Sequence, residues 1–429
     1  MQQRSKGVSK KYGRRAFLAV AASGAVALGL RPARAESVQI DYWQYFFKER
    51  VEAMDELIRR FQAENPGIIV KQTTFPYAQY RTKVAAAVPA GVGPDLMQLY
   101  YGWLREYRKA GLLQELPRDL FPPDRLDRSF FPMVQQMRLE GAYYAVPTAV
   151  RSLALFTNRR LMQEAGLAAP PLTLDSFVEQ AARMTKRDGG GNLTIAGTTI
   201  GLPSQDSHWW REVLVRQFGG TPFSPDYRKV TYGDEHGAAA LKWYSDLERT
   251  HRVAQAGFMS ETAAAFRAGR AGLHVDGSFL IGSLQQTRNL DWAAAELPTH
   301  NGIQANYSSY WVNALTASAG GVRREAALKF LAFITADEAM TLWLEKTGEL
   351  PAKPSVALAP ASLANPAHAA IAKGLAYAVA TDFVDEDAQR EVFVQMLDRV
   401  LLQGQDPLTS VREAASAEQR IIDAYYAKG

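Results

Sequence analysis

Three times between residues 38 and 110 the sequence passes from a short β-like run into a helical stripe. That alternation restricts the fold more than any other feature. Val38-Gln-Ile-Asp-Tyr-Trp43 reads as a strand, and Val51, Met54, Leu57, Ile58 and Phe61 then mark one apolar face of a helix. Asn65-Pro66-Gly67 stops it. Residues 68–74 read as a second strand, 77–88 as a helix stopped by Pro89 and Gly91, 95–99 as a buried strand, and 104–110 as a helix ended by Gly111. Such βαβα order predicts a parallel sheet with helices on its faces.

The pattern restarts further on. Residues 144–148, 153–157 and 273–276 read as strands; 158–164, 173–186, 207–217 and 235–250 read as helices. Thr335-Ala-Asp-Glu338 has the form of a capping box, and Asp406-Pro407 opens a last helix. Asp188-Gly-Gly-Gly-Asn192 reads as a surface hairpin tip, since it lacks the Lys-Ser/Thr of a phosphate-cradling loop. Two α/β halves result, about 36–147 and 150–300. The segment from about 305 is too short to form a third sheet domain, so it adds to both halves. The chain then crosses between lobes more than once, which points to a cleft.

Charge is distributed unevenly. The 429 residues carry 49 Lys+Arg against 44 Asp+Glu, but residues 1–35 hold eight basic residues and no acidic one. Beyond residue 35 the balance is 41 to 44, a net charge of −3, which is a poor partner for nucleic acid. Residues 1–35 read as a secretory signal: a basic start, an apolar run from Ala16 to Leu30, and Ala33-Arg34-Ala35 with cleavage after Ala35. Arg14-Arg15-Ala16-Phe17-Leu18 is similar to the twin-arginine export motif. The apolar run of about 15 residues is short for a span, which needs about 20. With no cysteine for lipid attachment, the expected mature chain is a monomer in the bacterial periplasm.

The same lack of cysteine excludes disulfides, iron–sulfur clusters, Cys-ligated zinc and a thiol nucleophile. There is no Gly-x-Ser-x-Gly, no His-Glu-x-x-His, and no Gly-x-Gly-x-x-Gly after a predicted strand. The six histidines are scattered. No cofactor, metal or catalytic residue is therefore assigned. Carboxylates are plentiful but cannot be paired from sequence, so a sugar-cleaving enzyme stands as an alternative.

Aromatic residues gather at predicted strand ends and loops: Trp43/Tyr45/Phe46/Phe47, Tyr100/Tyr101/Trp103, Trp209/Trp210 and Tyr307/Tyr310/Trp311. Any one of them reads as readily as core packing. Together, at the carboxyl ends of strands where open α/β sheets bind ligands, they suit the C–H face of a sugar ring.

The chain resembles the family 1 extracellular solute-binding proteins, the maltose/trehalose/glycerol-phosphate type that serves ABC importers. The segments that carry the resemblance begin with Phe61-Gln-Ala-Glu-Asn-Pro66, Val92-Gly-Pro-Asp-Leu96, Ala110-Gly-Leu-Leu-Gln-Glu-Leu116, and Tyr144-Ala-Val-Pro147 with Leu155-Phe-Thr-Asn158. Further along they are Ala265-Phe-Arg-Ala-Gly-Arg-Ala271 with Asp276-Gly-Ser-Phe279, Ala326-Ala-Leu-Lys-Phe-Leu331, and Gly348-Glu-Leu-Pro351.

The resemblance implies the type II two-lobed binding-protein fold. One lobe comprises 36–148 and about 305–350, the other 149–304 and about 351–429. A carbohydrate is captured between them by hinge closure and delivered to membrane permease subunits, without catalysis. The implied ligand contacts are Trp43, Gln44, Tyr45 and Phe47, then Tyr100 and Trp103, then Arg151, His208 and Trp209. Asp276, Gly277, Phe279, Ser308, Tyr310, Trp311 and Glu349 complete the set. Arg151 stands where many relatives place a carboxylate. If it faces the cleft, its forked donors favour an anionic sugar acid or glycerol phosphate; paired with a hinge carboxylate, it is structural. A sensory receptor shares the fold and differs only in partner.

Overall fold

The computed structural model describes residues 37–201 and 206–427, so the expected signal segment 1–35 lies outside the described residues. Eleven strands make one curled sheet. They are β1 (Val38–Tyr45), β2 (Ile68–Phe75), β3 (Leu96–Tyr100), β4 (Ala145–Asn158), β5 (Lys186–Arg187), β6 (Leu193–Thr198), β7 (Ala271–Gly277), β8 (Trp292–Ala295), β9 (Asn306–Leu315), β10 (Leu350–Pro351) and β11 (Ala378–Val379). The main path runs β2-β1-β3-β9-β4-β7-β6-β5, with β8 and β10 paired to β4 and β11 to β9. β1 is parallel to β2 and β3, and β6 is parallel to β7, as the strand–helix alternation predicts.

The first helix, Lys48–Glu64, buries Met54, Leu57, Ile58 and Phe61 of the stripe read from the sequence, while Val51 is half-buried. Helix Leu174–Met184 starts at Thr173, whose side chain accepts from Ser176 N while Ser176 returns a bond to the Thr173 backbone. At 188–192 the Asp188 carboxylate accepts the backbone N–H groups of Gly190 and Asn192, closing the tip between β5 and β6. Asp406 caps the last helix, Pro407–Ala427, through Thr409 N.

Two expectations are corrected. The runs 144–148 and 153–157 are one strand, β4, with all fourteen residues buried. Its middle stays extended because β9 pairs with it from Ala145 to Ser152, with a register shift at Pro147, which has no N–H to give. The Thr335–Glu338 capping box does not form. Thr335 Oγ1 instead donates to Leu331 O of the preceding helix, and helix Asp337–Thr347 begins at Ala336 without a side-chain cap.

Apolar side chains form two main cores. Val146 and Val150 of β4 belong to the first, with residues of β1, β3 and β9. Leu153 and Leu155 belong to the second, with Leu273 and Val275 of β7. Ala154 and Phe156 alternate with them and face the first core. β4 thus enters both halves of the sheet, as β9 does through β3 on one side and β11 on the other.

Candidate functional site

In the first half, the carboxyl ends of β1, β2 and β3 release their chains on one side. β3 places Tyr100 opposite Trp311 of β9. Trp311 becomes the hub of a ring cluster, with centroids of Tyr45 at 4.3 Å, Trp103 at 5.5 Å, Tyr100 at 5.8 Å and Tyr77 at 6.2 Å. Most of these rings are covered by one another. Tyr77 is 55% exposed and Phe46 56%, so those two present open faces. Trp43 packs on Phe75 beside the cluster. Gln44 is fully buried and bonds to Gln72. Phe47 lies under the Arg50 guanidinium.

In the second half, the parallel β6 and β7 end together. Beyond them lies a cavity of about 660 Å³, within the range of small-molecule sites. Ile200, Phe258, Phe279 and Leu397 wall it, and Glu248, Glu261, Asp276 and Asp398 add carboxylates; no Lys or Arg lines it among the described residues. Phe279 reaches it because residue 277 is glycine: a Cβ there would stand 2.2 Å from the Phe279 ring. Asp276 is held by its neighbours. Its Oδ1 accepts Gly277 N, and its Oδ2 lies 3.1 Å from His274 Nε2, whose Nδ1 meets Thr199 Oγ1 at 2.7 Å.

Between the halves sits a buried charge cluster. Arg151 Nε is 2.6 Å from Glu349 Oε1, and Arg50 pairs with the same oxygen. Trp343 Nε1 donates to Glu349 Oε2 at 3.0 Å. Burial alone pushes the Glu349 carboxyl up, but Arg151 and Arg50 outweigh it and hold the group down at about 2. The Arg151 guanidinium also lies 5.5 Å from the Phe279 ring. The two residues expected as separate ligand contacts therefore satisfy each other. Ser308 Oγ donates to Arg151 O, fixing β9 to β4 at this point.

Three expected contacts are packed inward. Trp209 is buried against Phe177, Trp243 and Tyr244 in the second core. Tyr310 is fully buried, stacks on Tyr101 and donates to Met133 O. His208 lies flat against Tyr307, ring centroids 4.1 Å apart. Burial holds its imidazole well below the ordinary range, and Arg211 and Arg390 act in the same direction. Residues 209–214 form a π-helix, a wide turn common at functional positions, which the helical spacing did not reveal.

The sequence reading did not single out Tyr77, whose ring is exposed beside the Trp311 cluster, or the Glu386–Arg390 ion pair of the second half. Tyr77 follows β2 directly and was open to the same strand-end rule. Glu386 and Arg390 sit on helix Glu386–Leu401, far along the chain, and carry no local signal.

A two-lobed α/β sheet with strands shared across a hinge defines a class, the solute-binding fold, and comparison with known proteins agrees. The family described as bacterial extracellular solute-binding protein matches residues 56–370, and the chain belongs to that family. The maltotriose-binding protein of Pyrococcus abyssi is 25% identical over 306 residues, 70% of this chain and 63% of that protein, so the match spans under two thirds of the relative's length. The galactooligosaccharide-binding protein of Bacillus subtilis is 23% identical over 388 residues, 88% of each chain. Among solved structures, a Thermotoga lettingae solute-binding protein bound with α-D-tagatose superposes with a TM-score of 0.77 at 21% identity, covering 90% of this chain and 100% of that one. UgpB from Mycobacterium tuberculosis, in complex with glycerophosphocholine, gives 0.78 at 22%, covering 90% and 99%. Among the described residues, no helix is long and apolar enough to cross a membrane.

Proposed function

We propose that this chain is the periplasmic receptor of an ABC importer and captures a neutral carbohydrate between its lobes without transforming it. The cavity beyond β6 and β7, which is the second lobe's face of the site, carries the reading: two phenylalanine rings and four carboxylates line it, with no Lys or Arg among the described residues. Ring faces suit sugar C–H groups, and carboxylates accept sugar hydroxyls. The same lining repels a phosphate or sugar acid, and Arg151 is already engaged by Glu349. Relatives named for binding maltotriose and galactooligosaccharides support the same class. The lobes are taken as 36–148 with about 305–350, and 149–304 with about 351–429. Closure brings the Trp311 ring cluster against the cavity, and the closed form docks on permease subunits.

A thermal-shift panel of neutral sugars, sugar acids and glycerol phosphates on the chain from Glu36 tests this, with chromatography of the recovered ligand. A ligand at 100 times its Kd adds about 2.7 kcal/mol, several degrees at roughly 2–4 °C per kcal/mol. The expected result is a shift with neutral sugars, which are recovered unchanged. A shift confined to anions, or a cleaved sugar, would overturn the reading.

A further inference from the structure

The N-terminus of helix Glu386–Leu401 meets the other half of the molecule. Arg81 of helix Tyr77–Ala87 forms an ion pair with Asp387. Tyr77 lies one turn before Arg81, on the same face. Glu386 flanks Asp387 and holds Arg390, one turn on, through Nε and Nη2. The Glu386 side chain is almost fully buried, and that of Arg390 is one-third exposed. Both bonds use Glu386 Oε1, so Oε2 and Arg390 Nη1 make no hydrogen bond among the described residues. Burial raises the Tyr77 hydroxyl, with Arg390 opposing and Glu386 reinforcing that rise, and the same two charges act on Tyr100. Arg390 lies three residues after Asp387 on this helix, so the face that meets Arg81 also carries the Glu386–Arg390 pair.

We infer that Glu386, Arg390 and Tyr77 form a cross-lobe ligand clamp, and that Glu386 acts as its charge filter. This rests on the carbohydrate reading. The exposed Tyr77 ring stacks on a sugar face. Arg390 Nη1 donates to a hydroxyl and Glu386 Oε2 accepts from one, which suits adjacent hydroxyls on one ring. Glu386 neutralises the guanidinium, so the clamp offers hydroxyl recognition without a net positive charge. Removing that carboxylate leaves an uncompensated arginine, which suits a phosphate or carboxylate on the sugar. The remaining nearby cations are engaged: Arg81 by Asp387 and Glu106, and Arg151 and Arg50 by Glu349, with the buried Arg50 guanidinium lying over the Phe47 and Tyr45 rings.

Titration calorimetry on wild type, Y77A, R390M and E386Q tests the clamp, with maltotriose, a galactooligosaccharide, tagatose, glucose 6-phosphate and gluconate as probes. Unliganded melting temperatures report folding, and R390K backs up R390M if the latter does not fold. For the neutral sugar that wild type binds, Y77A and the Arg390 variants are expected to weaken Kd about tenfold or more. E386Q is expected to weaken the neutral sugar and to gain measurable binding of an anionic probe. Folded variants that keep the wild-type Kd within about twofold overturn the clamp and leave the carbohydrate reading standing. E386Q with no gain for either anion overturns the charge filter. A wild-type chain that binds no neutral sugar overturns the carbohydrate reading itself, and this inference with it.

Discussion

Glu349 shows how much one residue can hold. It joins Arg50 of the first helix, Arg151 of β4 and Trp343 of helix Asp337–Thr347. Glu349→Gln leaves two buried guanidinium groups short of their counter-charge, and a loss of about 3–5 kcal/mol in urea unfolding is expected. The acid limb should change as well. With the folded carboxyl at about 2 and its ordinary value 4.5, its contribution is complete above pH 4.5 and is lost as pH falls through about 2. Wild-type stability should therefore fall more steeply than that of Glu349→Gln across this window. Parallel slopes would show that Glu349 is not held low. Trp209 and Phe279 separate packing from binding. Trp209→Ala should lose about 3–5 kcal/mol of stability, and Phe279→Ala should mainly weaken sugar binding, by roughly 1–3 kcal/mol. Equal loss of affinity in both, at unchanged stability, would place Trp209 at the ligand after all.

At the scale of elements, legibility followed the range of the forces involved. Helix Lys48–Glu64 and the β1–β3 alternation were readable because their periodicity is local. The continuity of β4 was not, because Arg151 and Pro147 break its apolar run and only pairing with β9 keeps it extended. Asp276, Gly277 and Phe279 came from the family resemblance, and the structure sets Asp276 and Phe279 in the lining of the cavity. Glu386 and Arg390, proposed above as ligand contacts, were not legible, since the placement of the 386–401 helix is set by its packing against the last helix and leaves no local signal. Helix Leu174–Met184 sits on β6 closely enough that a Cβ at Gly197 would stand 2.0 Å from Ala181 O. Gly197→Ala should cost about 1–3 kcal/mol by pushing helix and strand apart, read from the shift in urea midpoint. A neutral result would mean that the helix rides up without strain.

For the whole molecule, polar contacts cross between the halves. Arg81 meets Asp387, Arg105 makes a forked pair with Asp382, and Gln286 Nε2 donates to Glu49. The Arg81–Asp387 pair, with Asp387 exposed, is worth about 0–1 kcal/mol and is screened by salt, while the forked Arg105–Asp382 pair is largely buried and screened less. Closure without ligand should then weaken as salt rises, while sugar-bound closure should not. Small-angle scattering at low and high ionic strength, with and without sugar, checks this; a salt-independent radius in the unliganded chain would refute it.

The shared strands also bear on how the chain is made. β3 finds its neighbour β9 only after about two hundred further residues have been synthesised. Until then β3, a largely apolar edge of the first half, stands without its partner, open to pairing with other chains. Neither half can mature on the ribosome ahead of the other. A transcript cut short before residue 306 would yield a chain prone to aggregation rather than a smaller working receptor.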